Sequence, residues 1–186
     1  MPAGLVFIDK PQGWTSHDIV AKLRGIAGTR RVGHAGTLDP MATGLLILGV
    51  DAGTKLLTFL VGANKTYLAR IRLGANTITD DAEGEITSTA DASVITRDQI
   101  ESELSNLRGE IMQVPSSVSA IKVDGERAYA KVRGGDEVKL AARPITIFKF
   151  EITSEPTVID GFIDFDAVIE CSSGTYIRAL ARDLGA

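Results

Sequence analysis

The residues best suited to chemistry stand together early in the chain, in Arg30-Arg31-Val-Gly33-His34-Ala-Gly36-Thr37-Leu38-Asp39-Pro40-Met-Ala-Thr43-Gly44. Glycines, a proline and many small side chains, without helical or strand periodicity, describe a shaped loop that presents something. Pro40 pushes Asp39 out of the helical region, so its carboxylate is held on extended backbone. There it serves either as a nucleophile or as an N-cap ahead of a proline at the first helical position, and residue types alone leave both open. His34 has two readings of its own, a hydrogen-bonded loop histidine or a catalytic one.

Three further side chains raise the same question. If Thr175 caps the last helix, Arg178 is its third residue, and a cation in the first turn opposes the helix dipole at a cost of ~0.3–1 kcal/mol. Something negative should sit beside it, preferably a carboxylate or phosphate that accepts two bonds; Asp39 is a candidate. Tyr67 opens a strand beside Lys65, where it is either core with its hydroxyl satisfied or a platform on which a base stacks and gives up a proton. Tyr176, beside Arg178, has the same two readings.

These side chains must be positioned by regular elements. Leu5 to Asp9 reads as a strand, and Thr15 or Ser16 caps a helix running through Arg24, with Ile19, Val20 and Leu23 at helical spacing and Gly25 as its stop. Leu45 to Val50 reads as a short buried strand, and Thr54 to Leu60 as a helix with Leu56, Leu57 and Leu60 on one side. Tyr67 to Leu73 alternates as a half-buried strand does. Thr96-Arg-Asp-Gln99 is a capping box before Ile100, Leu104 and Leu107, with Gly109 as the stop. Arg143 to Ile152 and Phe162 to Cys171 are two long strands, and Ile177, Leu180, Ala181 and Leu184 form a closing helix. Long strands, interspersed helices and more hairpins than βαβ units point to an α+β fold: a mixed, largely antiparallel central sheet flanked by helices. The chain reads as one domain, incomplete at its C-terminus because nothing covers the closing helix, with a basic insertion at about 113–142.

Composition limits the function classes. The 186 residues are 44% hydrophobic and 24% charged, the balance of a folded protein able to bury a core unaided. One cysteine and two histidines cannot assemble a Cys/His zinc site. No apolar run approaches the ~20 residues that span a bilayer, and the first residues lack a signal-peptide pattern, so a cytoplasmic location is expected. A net charge of −4 argues against a nucleic-acid partner, yet the average hides a segregation. Residues 1–75 carry nine basic against four acidic side chains and 111–149 seven against four, while 76–110 carry two against nine. If the two positive stretches share a face they suit a polyanion, since phosphate contacts are local; scattered surface charge is the other reading.

Six collinear motifs then make the chain resemble a known family. Gly33-His-Ala-Gly-Thr-Leu-Asp39-Pro-Met-Ala-Thr-Gly-Leu-Leu46 resembles the catalytic motif of the TruB-type tRNA pseudouridine synthases. Val6 to Ser16 is similar to the family's opening strand, Lys65-Thr-Tyr67 to its tyrosine motif and Asp80-Asp-Ala-Glu-Gly84 to its acidic turn. Ser119 to Gly125 is similar to its RNA-gripping insertion and Cys171 to Arg178 to its closing motif. The resemblance implies isomerisation of the uridine at position 55 in the T loop of tRNA, by base flipping and without metal or cofactor. It implies that Asp39 is the attacking carboxylate, that Arg178 pairs with it, and that Tyr67 stacks on the flipped base and takes a proton. It makes His34, Tyr176, Lys10, Lys55 and Lys122 substrate contacts, the T stem-loop the partner, and a monomer the expected state. Two departures stand out: Ser116 and Val118 replace a proline and a tyrosine frequent in the family, and the family continues into more catalytic domain and an RNA-binding domain. An RNA-binding module or tRNA-folding chaperone without catalysis is the alternative. Glycoside hydrolysis is a weak option, because the loop offers no second carboxylate.

Overall fold

A computed structural model describes residues 3–119 and 140–186, together with the backbone of 122–123 and 126–127. Its contacts divide the chain into two compact units, residues 1–63 and 64–186.

The first unit comprises β1 (Gly4–Lys10), α1 (Ser16–Ala27), β2 (Val32–His34), β3 (Gly44–Val50), a 3-10 helix (Asp51–Leu56) and α2 (Leu57–Val61). The strands pair antiparallel in the order β1-β3-β2, running from Gly4↔Val50 to Lys10↔Gly44. Ile19, Val20 and Leu23 of α1 pack on Val32, Leu46, Leu48 and Val50, forming the unit's core. Thr15 caps α1 as expected, with its side chain accepting from the Asp18 amide and Asp18 returning to the Thr15 amide. Gly25 does not end the helix. A mid-helix glycine costs only ~1 kcal/mol, whereas Gly28 adopts φ 67, and the left-handed turn there closes the last carbonyls. Residues 54–60 are not one helix either: a 3-10 turn precedes α2, so Leu57 is buried while Leu56 is 48% exposed. Leu45 also faces outward, at the non-core face of β3. Gly53 packs so closely on the start of β1 that a Cβ there would lie 2.1 Å from the Gly4 carbonyl oxygen.

The second unit comprises β4 (Lys65–Leu73), β5 (Ala75–Thr77), β6 (Ile86–Thr89), α3 (Arg97–Asn106), β7 (Gly109–Gln113), β8 (Lys122–Val123), β9 (Glu126–Arg127), β10 (Arg143–Ile152), β11 (Thr157–Ile159), β12 (Phe162–Cys171) and α4 (Ile177–Leu184). Strand β12 is the centre of its main sheet: β4 lies along one side, and β10 and β11 share the other, with β7 beyond β10. The alternation in β12 is complete, Ile163, Phe165, Ala167, Ile169 and Cys171 being buried and the residues between them half-buried. Ile100 and Leu104 of α3 and Leu180 and Leu184 of α4 join this core. On the other face Arg72 and Arg70 each grip a cross-strand carboxylate, Asp164 and Asp166, with two bonds of 2.7–2.9 Å. Among the described residues all strand pairings are antiparallel, in agreement with the α+β reading. The short strands β2, β5, β6, β7 and β11 were not legible as periodic runs.

Candidate active site

Asp39 is carried by the loop between β2 and β3, and the backbone on both sides of it is fastened. The Ser16 hydroxyl at the start of α1 accepts from the Leu38 amide at 2.9 Å and donates to the Leu38 carbonyl at 3.2 Å. Beyond Asp39, the Pro40 carbonyl accepts from the Gly13 amide at 2.8 Å and from the Lys10 ammonium at 3.2 Å. The Asp39 carbonyl accepts from the Ala42 amide at 3.1 Å. His34 ends β2 and its Nδ1 pairs with the Gly36 carbonyl, tightening the entry to the loop. The Asp39 side chain is left partly exposed on this frame.

Lys10 stands out in this frame. Wholly buried at the end of β1, it also donates to the carbonyls of Trp14 at 2.6 Å and Pro11 at 3.0 Å. All three of these carbonyls belong to its own unit. Burial pushes its pKa below the ordinary lysine value, opposed by the field of the Asp39 carboxylate. Lys55, expected as another contact, is exposed at the end of the 3-10 helix.

In the second unit Tyr67 is half-buried on β4 opposite Ile169 and packs against the core. Arg178 is in the first turn of α4, but the cap differs from expectation. Thr175 donates its hydroxyl to the Ser172 carbonyl inside the preceding turn, and the N-cap is Tyr176. Buried Gln113, at the end of β7, donates to the Tyr176 carbonyl at 3.0 Å and accepts from its amide at 2.9 Å. Near this end of α4, Arg178 donates to Asp81 Oδ2 at 3.1 Å, the Thr79 carbonyl at 2.7 Å and the Val118 carbonyl at 3.1 Å. The negative partner that the dipole argument asks for is thus present within the unit in the acidic turn. Cys171, on β12, is no rival nucleophile: it is buried, and burial pushes its thiol pKa up.

Lys10, Ser16, His34 and Asp39 therefore share one loop assembly, and Tyr176 and Arg178 another. The roles of Lys10 in bracing the loop, and of Ser16 and Gln113 in fastening it and α4, had no signal in periodicity; only the Lys10-Pro11-Gln-Gly13 turn after β1 hinted at the first. The Lys122 side chain and most of the insertion, including Tyr129, Lys131 and Arg133, lie outside the described residues. Among the described residues no group of three or more His, Cys, Asp or Glu side chains could hold a metal ion, and no helix is long and apolar enough to cross a membrane.

The chain belongs to the TruB family: the model of the family described as "TruB family pseudouridylate synthase (N terminal domain)" matches residues 24–177. A tRNA pseudouridine synthase B of Arthrobacter sp. (strain FB24) is 62% identical over 186 residues, covering 100% of this chain and 61% of that protein. One of Paenarthrobacter aurescens (strain TC1) is 64% identical, covering 100% of this chain and 60% of that protein. The chain thus spans about three fifths of the length of these relatives. Among solved structures, a Cbf5-Nop10-Gar1 complex matches with a TM-score of 0.67 and 26% identity, over 98% of this chain and 43% of that one. An H/ACA RNP bound to a substrate RNA containing 2'-deoxyuridine matches at 0.64 and 25%, over 98% and 42%.

Proposed function

We propose that the chain forms most of the catalytic part of an enzyme that converts the T-loop uridine of tRNA at position 55 to pseudouridine, with Asp39 as nucleophile. The observation that carries this reading is the bracing of Asp39: a carboxylate on backbone fixed at Leu38, Asp39 and Pro40 is held in place before substrate arrives, so little ordering remains to be done at the moment of reaction. The target base lies inside a folded loop and is extruded first, at a few kcal/mol of lost stacking.

Asp39 then attacks the nucleotide, the bond from N1 to the sugar breaks, and the base turns to present C5. A bond forms from C5 to the sugar, Asp39 leaves, the proton on C5 passes to a base, a role that suits Tyr67, and N1 takes up a proton from solvent. Substrate and product are isomers, so no oxidant or co-reactant is consumed. Arg178 supplies a planar cation for Asp39 in this scheme. His34, Tyr176, Lys55 and Lys122 contact the RNA, which is recognised by the shape of its stem-loop. Lys10, expected with these contacts, braces the loop that carries Asp39 in this reading. The enzyme acts in the cytoplasm as a single copy without metal or cofactor.

Release of tritium from C5-labelled uridine in a T-stem-loop RNA tests the reading. The native protein releases label and Asp39→Asn does not, while RNA affinity is retained; Arg178→Lys is slower, because a point charge does not reproduce the fork. Label release by Asp39→Asn would refute the nucleophile. RNA binding and refolding with no release by the native full-length protein would favour a chaperone.

A further inference from the structure

Helix α4 carries a second arginine, Arg182, four residues after Arg178 and so on the same side of the helix. The two reach the same pair of segments. Arg178 holds Asp81 and the Val118 carbonyl; Arg182 holds Asp80 Oδ2 at 2.9 Å through Nη1 and the Val114 carbonyl at 2.8 Å through Nη2. Adjacent aspartates on one turn are thus gripped by adjacent turns of one helix, and both ends of the stretch 114–118 are tied beside them. Asp183 accepts from Arg182 Nε at 3.0 Å and Nη2 at 2.7 Å, which fixes the plane of the guanidinium.

The acidic turn is closed by its own bonds, the Thr77 hydroxyl donating to the Asp81 carbonyl at 2.8 Å and the Asp80 amide to the Thr77 carbonyl at 3.2 Å, but it is the two arginines that tie this turn to α4 and to the stretch 114–118. Asp80 sits at φ 58, a left-handed conformation that a non-glycine residue keeps only where its surroundings impose it. The stretch 114–118 follows the end of β7 and has no strand partner of its own. Among the described residues the buried hydroxyls of Ser116 and of Ser119, just beyond, find no hydrogen-bond partner. The ion pairs of both arginines are largely withdrawn from solvent, with Asp80 and Asp81 side chains 14% and 9% exposed, where screening is weak and geometry is held.

We propose that Arg182 is a positioning residue for Arg178: through Asp80 and the Val114 carbonyl it holds the acidic turn and the root of the insertion in the one register that lets Arg178 bind both. It touches no reacting atom and acts only through Arg178, and the inference rests on the pseudouridine-forming reading of the site. Arg182→Gln leaves the Asp80 carboxylate unpaired and frees the turn and the strap to drift, turning the Arg178 guanidinium away from its working orientation.

The test uses the full-length protein and T-stem-loop RNA labelled at C5 of the target uridine, at saturating RNA and well below the unfolding temperature of every variant. The single-turnover rate of Arg182→Gln is expected to fall about tenfold with RNA affinity within twofold, and Arg182→Lys, which keeps the Asp80 pair, recovers part of the loss. In an Arg178→Lys background the same Arg182→Gln change is expected to have less than a twofold further effect. Equal effects in both backgrounds, or an Arg182→Gln rate within twofold of native, overturn the proposal. Hydrogen exchange of the RNA-free protein supplies a readout independent of turnover: amides of 80–82 and 116–119 lose protection in Arg182→Gln, and unchanged protection also overturns it. Native protein that releases no label would instead count against the pseudouridine-forming reading itself.

Discussion

Replacing Lys10 by Met keeps the length and apolar stem of a buried side chain and removes only its ammonium. Three carbonyls lose a donor, but the Pro40 carbonyl keeps the Gly13 amide at 2.8 Å. The uncompensated losses are the carbonyls of Pro11 and Trp14. Both carbonyls are part-buried on exposed residues, so water replaces part of each lost bond; an orphaned acceptor there costs about 1 kcal/mol, and relief of the buried ammonium's desolvation offsets some of the total, leaving an expected destabilisation of about 1–2 kcal/mol. Trp14, the single tryptophan of the chain, accepts from the Lys10 ammonium at its carbonyl and is 41% exposed, so its fluorescence reports unfolding of the first unit directly. Urea titration followed at Trp14 should show a lower midpoint with little change in slope. The turnover of Lys10→Met should fall as well, since the Asp39 loop loses the brace at Pro40, while RNA affinity at saturation of folding changes little. A loss below about 0.5 kcal/mol, or a stability loss with full turnover, would refute the view that the ammonium braces the loop.

Two further outcomes follow from the second unit. Gln113→Leu leaves the Tyr176 amide without its partner, while the Tyr176 carbonyl keeps the Leu180 amide at 3.1 Å, and is expected to cost about 1–3 kcal/mol by thermal unfolding; a Leu variant as stable as native would show that the Gln113 clamp contributes nothing. Arg72 and Arg70 hold the carboxyls of Asp164 and Asp166 below the usual carboxylate range, so their folded pKa values lie under the unfolded ones. Their stabilisation is complete above about pH 4, the unfolded value, and is lost as pH falls through the folded values. The gap in urea midpoint between native protein and Asp164→Asn/Asp166→Asn should close below about pH 4, and a gap that persists undiminished to pH 2 would contradict the assignment.

The elements that the sequence made legible are those in which one physical signal dominates. In β12 five buried side chains alternate with half-buried ones over ten residues, and no other structure satisfies that period. The capping box at Thr96 is a set of local bonds within four residues and forms as read, and of the two caps offered for α1 it is Thr15 that serves, in a box with Asp18. The elements misread are those where a local signal competed with packing. Gly25 carries a stop signal that α1 overrides, because Ile19, Val20 and Leu23 already bury its face and the helix gains by continuing to Gly28. Thr175 has the right type for a cap but gives its hydroxyl to the Ser172 carbonyl, while Gln113, distant in sequence, serves Tyr176.

The candidate site divides along the same line. The type and order of its residues, an aspartate ahead of a proline between glycines and an arginine in the first turn of a helix, could be read from the chain, because backbone restriction and helix dipole act on near neighbours. What lies around those residues could not. That Lys10 spends its donors on three carbonyls, that Ser16 fastens Leu38, and that Arg178 and Arg182 share the acidic turn with the 114–118 stretch are contacts across 22 to 102 residues of sequence, or choices among donors that any surface lysine or arginine also offers. Chemistry of this kind is named by the sequence through residue type; the bonds that hold it in place depend on which distant carbonyls and carboxylates the fold brings within 3 Å, and only tertiary packing decides that.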